Sequence, residues 1–318
     1  METDRIKLDA AFYDLTQEVG GAIFSAMLAV QRRAEAQPDP PPPLLQFRRG
    51  YAESPAWLLI QIAEFDPEPL TLENLRVRHV YGSERMFAAL LELMASEDWL
   101  DRDSEGAYHP TAAGRAQYQR LRPRQHALIG ALEPPPEAQA ERLAGLLGRV
   151  IDAGLVSSNP PGTWCLAHSR RRAPAADAPA LTRIFHYSED INAIRDDAHM
   201  AAWSSTGLKG YEWETFTHIY AGQANTAEML FEQLNYRGNS RGEYASALAE
   251  LARRGWLEPA GDAGAYQVTE AGKLMRGEIE RATDEYFYTP WSCLSTDEIT
   301  VAHDLLIKLC GGLQEAHS

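Results

Sequence analysis

Cysteine is scarce in this sequence. The three present, Cys165, Cys293 and Cys310, show no CxxC or metal-ligand spacing, which speaks against a disulfide framework and for reduced, structural thiols. Long apolar runs are missing as well. The best stretch, residues 22–30, falls far short of the roughly 18 residues that span a bilayer. The opening METDRIKLDA has no basic segment followed by an apolar one, so no secretory leader is expected and the chain is expected in the cytoplasm. Signatures of catalysis are lacking too. There is no GxSxG, no Walker loop and no GxGxxG, and the nine histidines show no HxxxH or HExxH spacing. Neither an enzyme, nor a cofactor, nor a metal site is expected. Positive charge is also in short supply: 30 Lys and Arg stand against 45 Asp and Glu, a net charge of -15. The chain as a whole repels polyanions, so any nucleic-acid surface must be local.

What is present is enough apolar material for real cores, 45% of 318 residues, and a length that suggests two domains. Proline-rich stretches at 38–43, 134–136 and 159–162, and an Ala/Pro run at 173–180, mark loops, because proline cannot continue a helix. They divide the chain into residues 1–156, a linker at 157–180, and residues 181–318.

The two parts share a pattern. DWLDRDSEGAYHPTAAGRA, residues 98–116, aligns with GWLEPAGDAGAYQVTEAGKL, residues 255–274. Trp99 pairs with Trp256 and, after one extra residue, Tyr108 with Tyr266; Thr111 and Gly114 pair with Thr269 and Gly272. Upstream of each Trp-Leu, apolar residues spaced three and four apart predict an amphipathic helix: Met86, Phe87, Leu90, Leu91 and Met94 in one copy, Tyr244, Ala247, Leu248 and Leu251 in the other. Ser83 and Ser240 are its expected N-caps, and only Ser240 has a Glu three residues on to complete a capping box. Shorter helices at 71–80 and 226–236 precede the caps across glycine-containing turns, which is a helix-turn-helix arrangement. A β-hairpin after each second helix supplies a wing. The T-x-A-G start of the following long helix puts small residues where that helix must approach the wing.

This order, with TEAGK at 269–273 and TAAGR at 111–115, resembles the MarR type of winged-helix transcription regulator. The resemblance implies a mainly α fold with small β wings. It implies two winged helix-turn-helix repeats forming an intramolecular pseudo-dimer through long N- and C-terminal helices, expected at 14–33 and 188–203 and at 137–151 and 297–309. A single chain then acts as a monomer. The implied function is transcriptional regulation by double-stranded DNA binding, on unequal half-sites about one helical turn apart, with a small aromatic effector as a second partner.

The residues expected at DNA are Arg76, Arg78, Ser83 and Arg85 in the first head and Arg237, Asn239, Ser240, Arg241 and Tyr244 in the second, all around the start of the second helix. The run 168–172, HSRRR, is the densest basic cluster and falls in the linker, where it either follows phosphates or is a solvated loop. Trp203, Tyr211 and Trp213 are the expected effector contacts and the aromatic stretch 285–291 further lining, with core packing as the other reading of both stretches. The wings depart from the resemblance. Their tips, DRDSEG and EPAGDAG, carry one base, Arg102. Residues 70–118 are net -3 and residues 226–276 net -1, so the second head is expected to dominate any DNA contact. The acidic wings leave open another reading, a winged-helix pair that serves as a protein-interaction or effector-binding module without DNA.

Overall fold

The computed structural model describes residues 8–35, 55–132, 136–160, 162–261 and 264–317. The proline stretch 38–43, most of 134–136 and the tip residues 262–263 of the second wing lie outside them. Thirteen α-helices and two two-stranded hairpins make up the described chain. None of these helices is long and apolar enough to cross a membrane.

The chain forms two compact units, each of which draws on both halves of the sequence. The first contains described residues of Met1–Gln46, Gln117–Ala198 and Thr283–Ser318; the second contains those of Phe47–Ala116 and His199–Ala282.

The first unit is helical. Helix α1 (Ala10–Glu35) packs along α13 (Thr296–His317), and α13 packs against α6 (Glu137–Val156). The N-terminal helix of one half thus lies on the C-terminal helix of the other. The stretch 285–291 supplies core here rather than a pocket. Phe287 and Trp291 are fully buried, with Phe12 edge-on to Trp291 at 4.9 Å. Burying each such side chain contributes about 1.5–3 kcal/mol.

The expected linker at 157–180 is a folded part of this unit. It contains α7 (Trp164–Arg170), whose N-terminal amides Cys165 N and Leu166 N donate to the buried Asp197 of α8 (Ala180–Ser204) at 2.8 and 3.0 Å. A carboxylate there satisfies orphan amides and meets the positive end of the helix dipole. Two arginines of HSRRR point to acids of α8 rather than out of a loop. Arg170 meets the fully buried Asp190 at 2.8 Å and Arg172 meets Glu189 at 3.1 Å. Burial pushes Glu189 up, but Arg172 and His186 outweigh it and hold the carboxyl at about 2.

The second unit holds both winged heads. In the first head, α2 (Pro55–Phe65), α3 (Leu72–Arg78) and α4 (Glu84–Ser96) are followed by β1 (Leu100–Arg102), β2 (Tyr108–Pro110) and the start of α5 (Ala112–Gly130). In the second, α9 (Gly210–Tyr220), α10 (Ala227–Leu234), a 3-10 turn (Asn235–Arg237), α11 (Arg241–Arg253), β3 (Leu257–Pro259), β4 (Tyr266–Val268) and α12 (Glu270–Tyr288) run in the same order. The local bonds recur as well. Trp99 N donates to Met94 O and Trp256 N to Leu251 O, each at 3.0 Å. Thr111 N donates to Trp99 O at 2.9 Å, and Thr269 N to Trp256 O at 3.1 Å.

His79, at the end of α3, packs between Trp57 and Phe87 with Nε2 2.8 Å from Gln61 Oε1. Burial, helped by the Arg78 charge, pushes its pKa down to about 3. A histidine held neutral in the fold but titrating near 6.5 when unfolded favours the unfolded chain as pH falls from 6.5 toward 3. Going from pH 7.5 to pH 5 is therefore expected to remove on the order of 2 kcal/mol through this residue. Urea midpoints of the parent chain and His79→Gln at the two pH values check it: the parent should lose more stability than the variant.

Candidate functional site

Each second helix of the helix-turn-helix begins as the sequence predicts. Ser83 Oγ accepts from Met86 N at 3.1 Å, and Ser240 forms the capping box with Glu243. The backbone bond at Ser240 keeps the Glu243 carboxyl below its usual range, and the more distant Arg85 and Lys209 charges favour the same direction. These two helix starts do not stand apart. Ser83 N donates to Arg237 O at 2.8 Å, Asn239 Nδ2 to Tyr81 O at 3.4 Å, and Arg85 Nη2 to Gly238 O. Gly238 closes the 3-10 turn at φ 77°, and a Cβ there would lie 2.5 Å from Ser83 Oγ. The turn needs glycine for its left-handed backbone and for this contact.

That joint corrects the expected half-site spacing. Heads that read successive major grooves hold their recognition helices about 34 Å apart. Here the turn that leads into α11, Arg237 to Asn239, hydrogen-bonds Tyr81, Ser83 and Arg85 at the start of α4.

The joint also decides what most of the expected DNA residues do. Asn239 is 3% exposed, and Tyr244, expected to face a groove, is fully buried, with its pKa pushed up to about 12 by that burial. Arg237 Nη2 lies 2.9 Å from Oε1 of the buried Glu214, and its guanidinium sits over Tyr81 and Tyr236. Arg78 pairs at 3.2 Å with the buried Glu64. Ser83 and Ser240 are caps at the joint rather than free hydroxyls. Arg76 and Arg241 do reach solvent, but against acids: Arg76 is 3.7 Å from Glu84, and Arg241 is 2.6 Å from Glu228. In the first wing, Arg102 folds back toward Glu92 at 3.4 Å and over Tyr108. Arg253 and Arg254, the bases that distinguish the second head, both hold Glu250 at 2.7 Å.

The outer faces of the two second helices differ. On α11 the exposed positions are Arg241, Gly242, Ala245, Ser246, Ala249 and Arg253; on α4 they include Glu84, Arg85, Ala89, Glu92 and Leu93. The α11 face is smooth between an arginine at each end, whereas the α4 face carries two acids. Gly242, Ala245, Ser246 and Ala249 were not among the expected contacts. Their signal was already in the sequence, as the complement of the apolar positions Tyr244, Ala247, Leu248 and Leu251.

The expected effector residues separate. Trp203 lines an open cleft of about 600 Å³ between α3 and the segment joining α8 to α9. Trp213 does not: it is 1% exposed, stacked parallel to Trp203 with centroids 6.0 Å apart, and its Nε1 donates to His199 Nε2 at 2.8 Å. Tyr211 hydrogen-bonds Glu212 and lies outside the cleft.

No curated protein and no solved structure matches the chain. The pattern of a helix-turn-helix family does, over residues 95–317, from the last turn of α4 through the first wing and the whole second head. With more than half of its length matched, two capped helix-turn-helix elements and a hairpin wing on each, the chain belongs to that helix-turn-helix family, a DNA-binding type.

Proposed function

We propose that the chain is a transcriptional regulator made of two MarR-like winged-helix heads in tandem, folded as a monomeric pseudo-dimer, in which α11 alone reads double-stranded DNA. The observation that carries this reading is the outer face of α11, where small residues between Arg241 and Arg253 let a helix sit deep in a major groove with cations at its edges. The family match supports it, since it includes the whole second head and leaves out the helix-turn-helix of the first. The recurring bonds at Trp99 and Trp256 and the packing of α1 on α13 support the tandem arrangement. The acids of the α4 face oppose phosphate by Coulomb repulsion, within a screening length of about 10 Å at 0.1 M salt.

Selection from a random duplex library at low salt should return one half-site rather than a spaced pair. Arg241→Ala and Arg253→Ala should each weaken binding and lower the slope of log affinity against log salt by about one. Ser246→Glu should abolish binding. Failure to retain any duplex, or a salt slope unchanged in the double variant, would remove α11 from the interface. A second reading has its own observation. Each arginine expected at DNA already has an acid or a carbonyl as partner, as suits an interaction module that does not bind DNA. An empty selection with a normally folded chain favours that module.

A further inference from the structure

Arg172, the last arginine of HSRRR, lines a small polar cavity in the first, helical unit. Helix α5 contributes Arg122 and His126 to it, α8 contributes His186 and Glu189, and Arg172 comes from the segment between α7 and α8. Its volume of about 20 Å³ exceeds the roughly 10–15 Å³ that a single water needs and falls far short of the several hundred Å³ of an organic ligand site.

Basic side chains dominate this lining, and among the described residues that form it Glu189 is the one acid. That carboxylate is already engaged: Oε2 lies 3.1 Å from Arg172 Nη1 and 3.2 Å from His186 Nδ1. Arg122 is held by a carbonyl instead of an acid, Nη2 donating to Ala173 O at 2.5 Å. His186 is 5% exposed, and its Nε2 is buried with no hydrogen-bond partner among the described residues. Asp190 Oδ1, which accepts from Ser169, is 3.4 Å from that nitrogen. The pKa of His126 is lowered, by burial first and then by the like charges of Arg122 and His186, so the cations converge on one another. Even with both rings neutral, two arginines and one carboxylate leave one positive charge in excess. A half-buried excess charge is costly unless something offsets it.

We infer that this cavity is a binding site for a monovalent anion of halide size, held by Arg122 and Arg172 between the rings of His126 and His186. One such charge balances the excess, and one such ion suits the volume, whereas an organic anion does not fit. A bound ion is a large local charge that ties together the elements around it. Here those elements are α5, α8 and the segment that carries Arg172. The site stands apart from the regulator reading, because it uses none of the residues proposed to meet DNA.

The test uses the full chain and sodium chloride, with sodium gluconate, whose anion is too large for the cavity, at equal concentration as the control. Chloride at about 0.15 M should raise the melting temperature by about 2 °C over gluconate, as a dissociation constant on the order of 10 mM implies. The chain should also broaden the chloride NMR line, and added bromide should reverse the broadening. Arg122→Gln keeps an amide donor for the Ala173 carbonyl but removes the charge, and should reduce the broadening at least about fivefold. Gln125→Glu, nearly unchanged in shape, puts a second acid on the cavity lining and should abolish it. Arg120→Gln removes an exposed arginine of α5 outside the cavity and should leave both signals as they are. A folded parent chain that shows no bromide-reversible broadening would overturn the site and leave the cavity to water. Broadening that survives Gln125→Glu, or that falls equally in Arg122→Gln and Arg120→Gln, would place the ion elsewhere and overturn it as well. If Arg122→Gln does not fold, the comparison of Gln125→Glu with the parent still decides.

Discussion

Replacing Gly272 with alanine is expected to destabilise the second head by about 2–4 kcal/mol, although alanine is the better helix former by about 1 kcal/mol. Gly272 lies in the first turn of α12, where an added Cβ would sit 2.3 Å from Trp256 O and 2.9 Å from Val268 Cγ1. The carbonyl has little freedom to move, because it accepts from Thr269 N, and Thr269 Oγ1 both accepts from Gly272 N at 3.1 Å and donates to Gly255 O at 2.6 Å. The helix must back away from the wing, and the cap and hairpin lose their register together. Gly114 is in the same position, with a Cβ that would lie 2.4 Å from Trp99 O, and the same loss is expected there. Gly277, further along α12, has nothing within 4 Å, so Gly277→Ala should instead stabilise by about 0.5–1 kcal/mol. Urea unfolding of the three variants tests this directly. Equal effects at 272 and 277 would mean that propensity, not contact with the Trp256 carbonyl, decides.

Arg237→Ala is expected to lose about 3–4 kcal/mol of stability, far more than Arg241→Ala. Glu214 is 7% exposed, and burial already raises its pKa against the opposing pull of Arg237. One of its oxygens receives the guanidinium at 2.9 and 3.1 Å, while the other is buried with no hydrogen-bond partner among the described residues. Without the arginine, the carboxylate is left charged in an apolar site or must take up a proton. Its folded pKa then rises further above the unfolded value, so the penalty is largest at neutral pH and shrinks as pH falls through that raised pKa. Thermal melts of parent and variant at pH 7.5 and pH 5 should show the gap narrowing at the lower pH, and Glu214→Gln in the same background should restore part of the loss. A residue that only touched phosphate would behave in the opposite way, with unchanged stability and a reduced salt slope. Arg241, 61% exposed in its side chain and paired with the half-exposed Glu228, is the expected example.

These two cases separate what was legible in the residues from what was not. The T-x-A-G start, the caps at Ser83 and Ser240, the short hairpins after Trp99 and Trp256 and the buried faces of α4 and α11 follow from contacts within about fifteen residues. Periodicity, capping chemistry and turn residues encode such contacts directly. The charge difference between the heads could also be counted without coordinates. The roles of the arginines could not. Arg237 lies 23 residues from Glu214, Ser83 is more than 150 residues from the carbonyl that receives its amide, and Asp197 caps a helix 32 residues before it. Nothing in a local window distinguishes an arginine that faces solvent from one held over a buried carboxylate. For the same reason the proline-rich middle of the chain reads as a linker, although α7 is folded there against α8. The helix-turn-helix segments, their caps and their hairpins can be read from the residues alone, because short-range hydrogen bonds and side-chain spacing set them. That the turn before α11 is bonded to the start of α4, and that a cleft opens beside Trp203, came only from the folded arrangement. Both depend on which distant surfaces pack together, and that is settled by the combined burial and charge pairing of the whole chain.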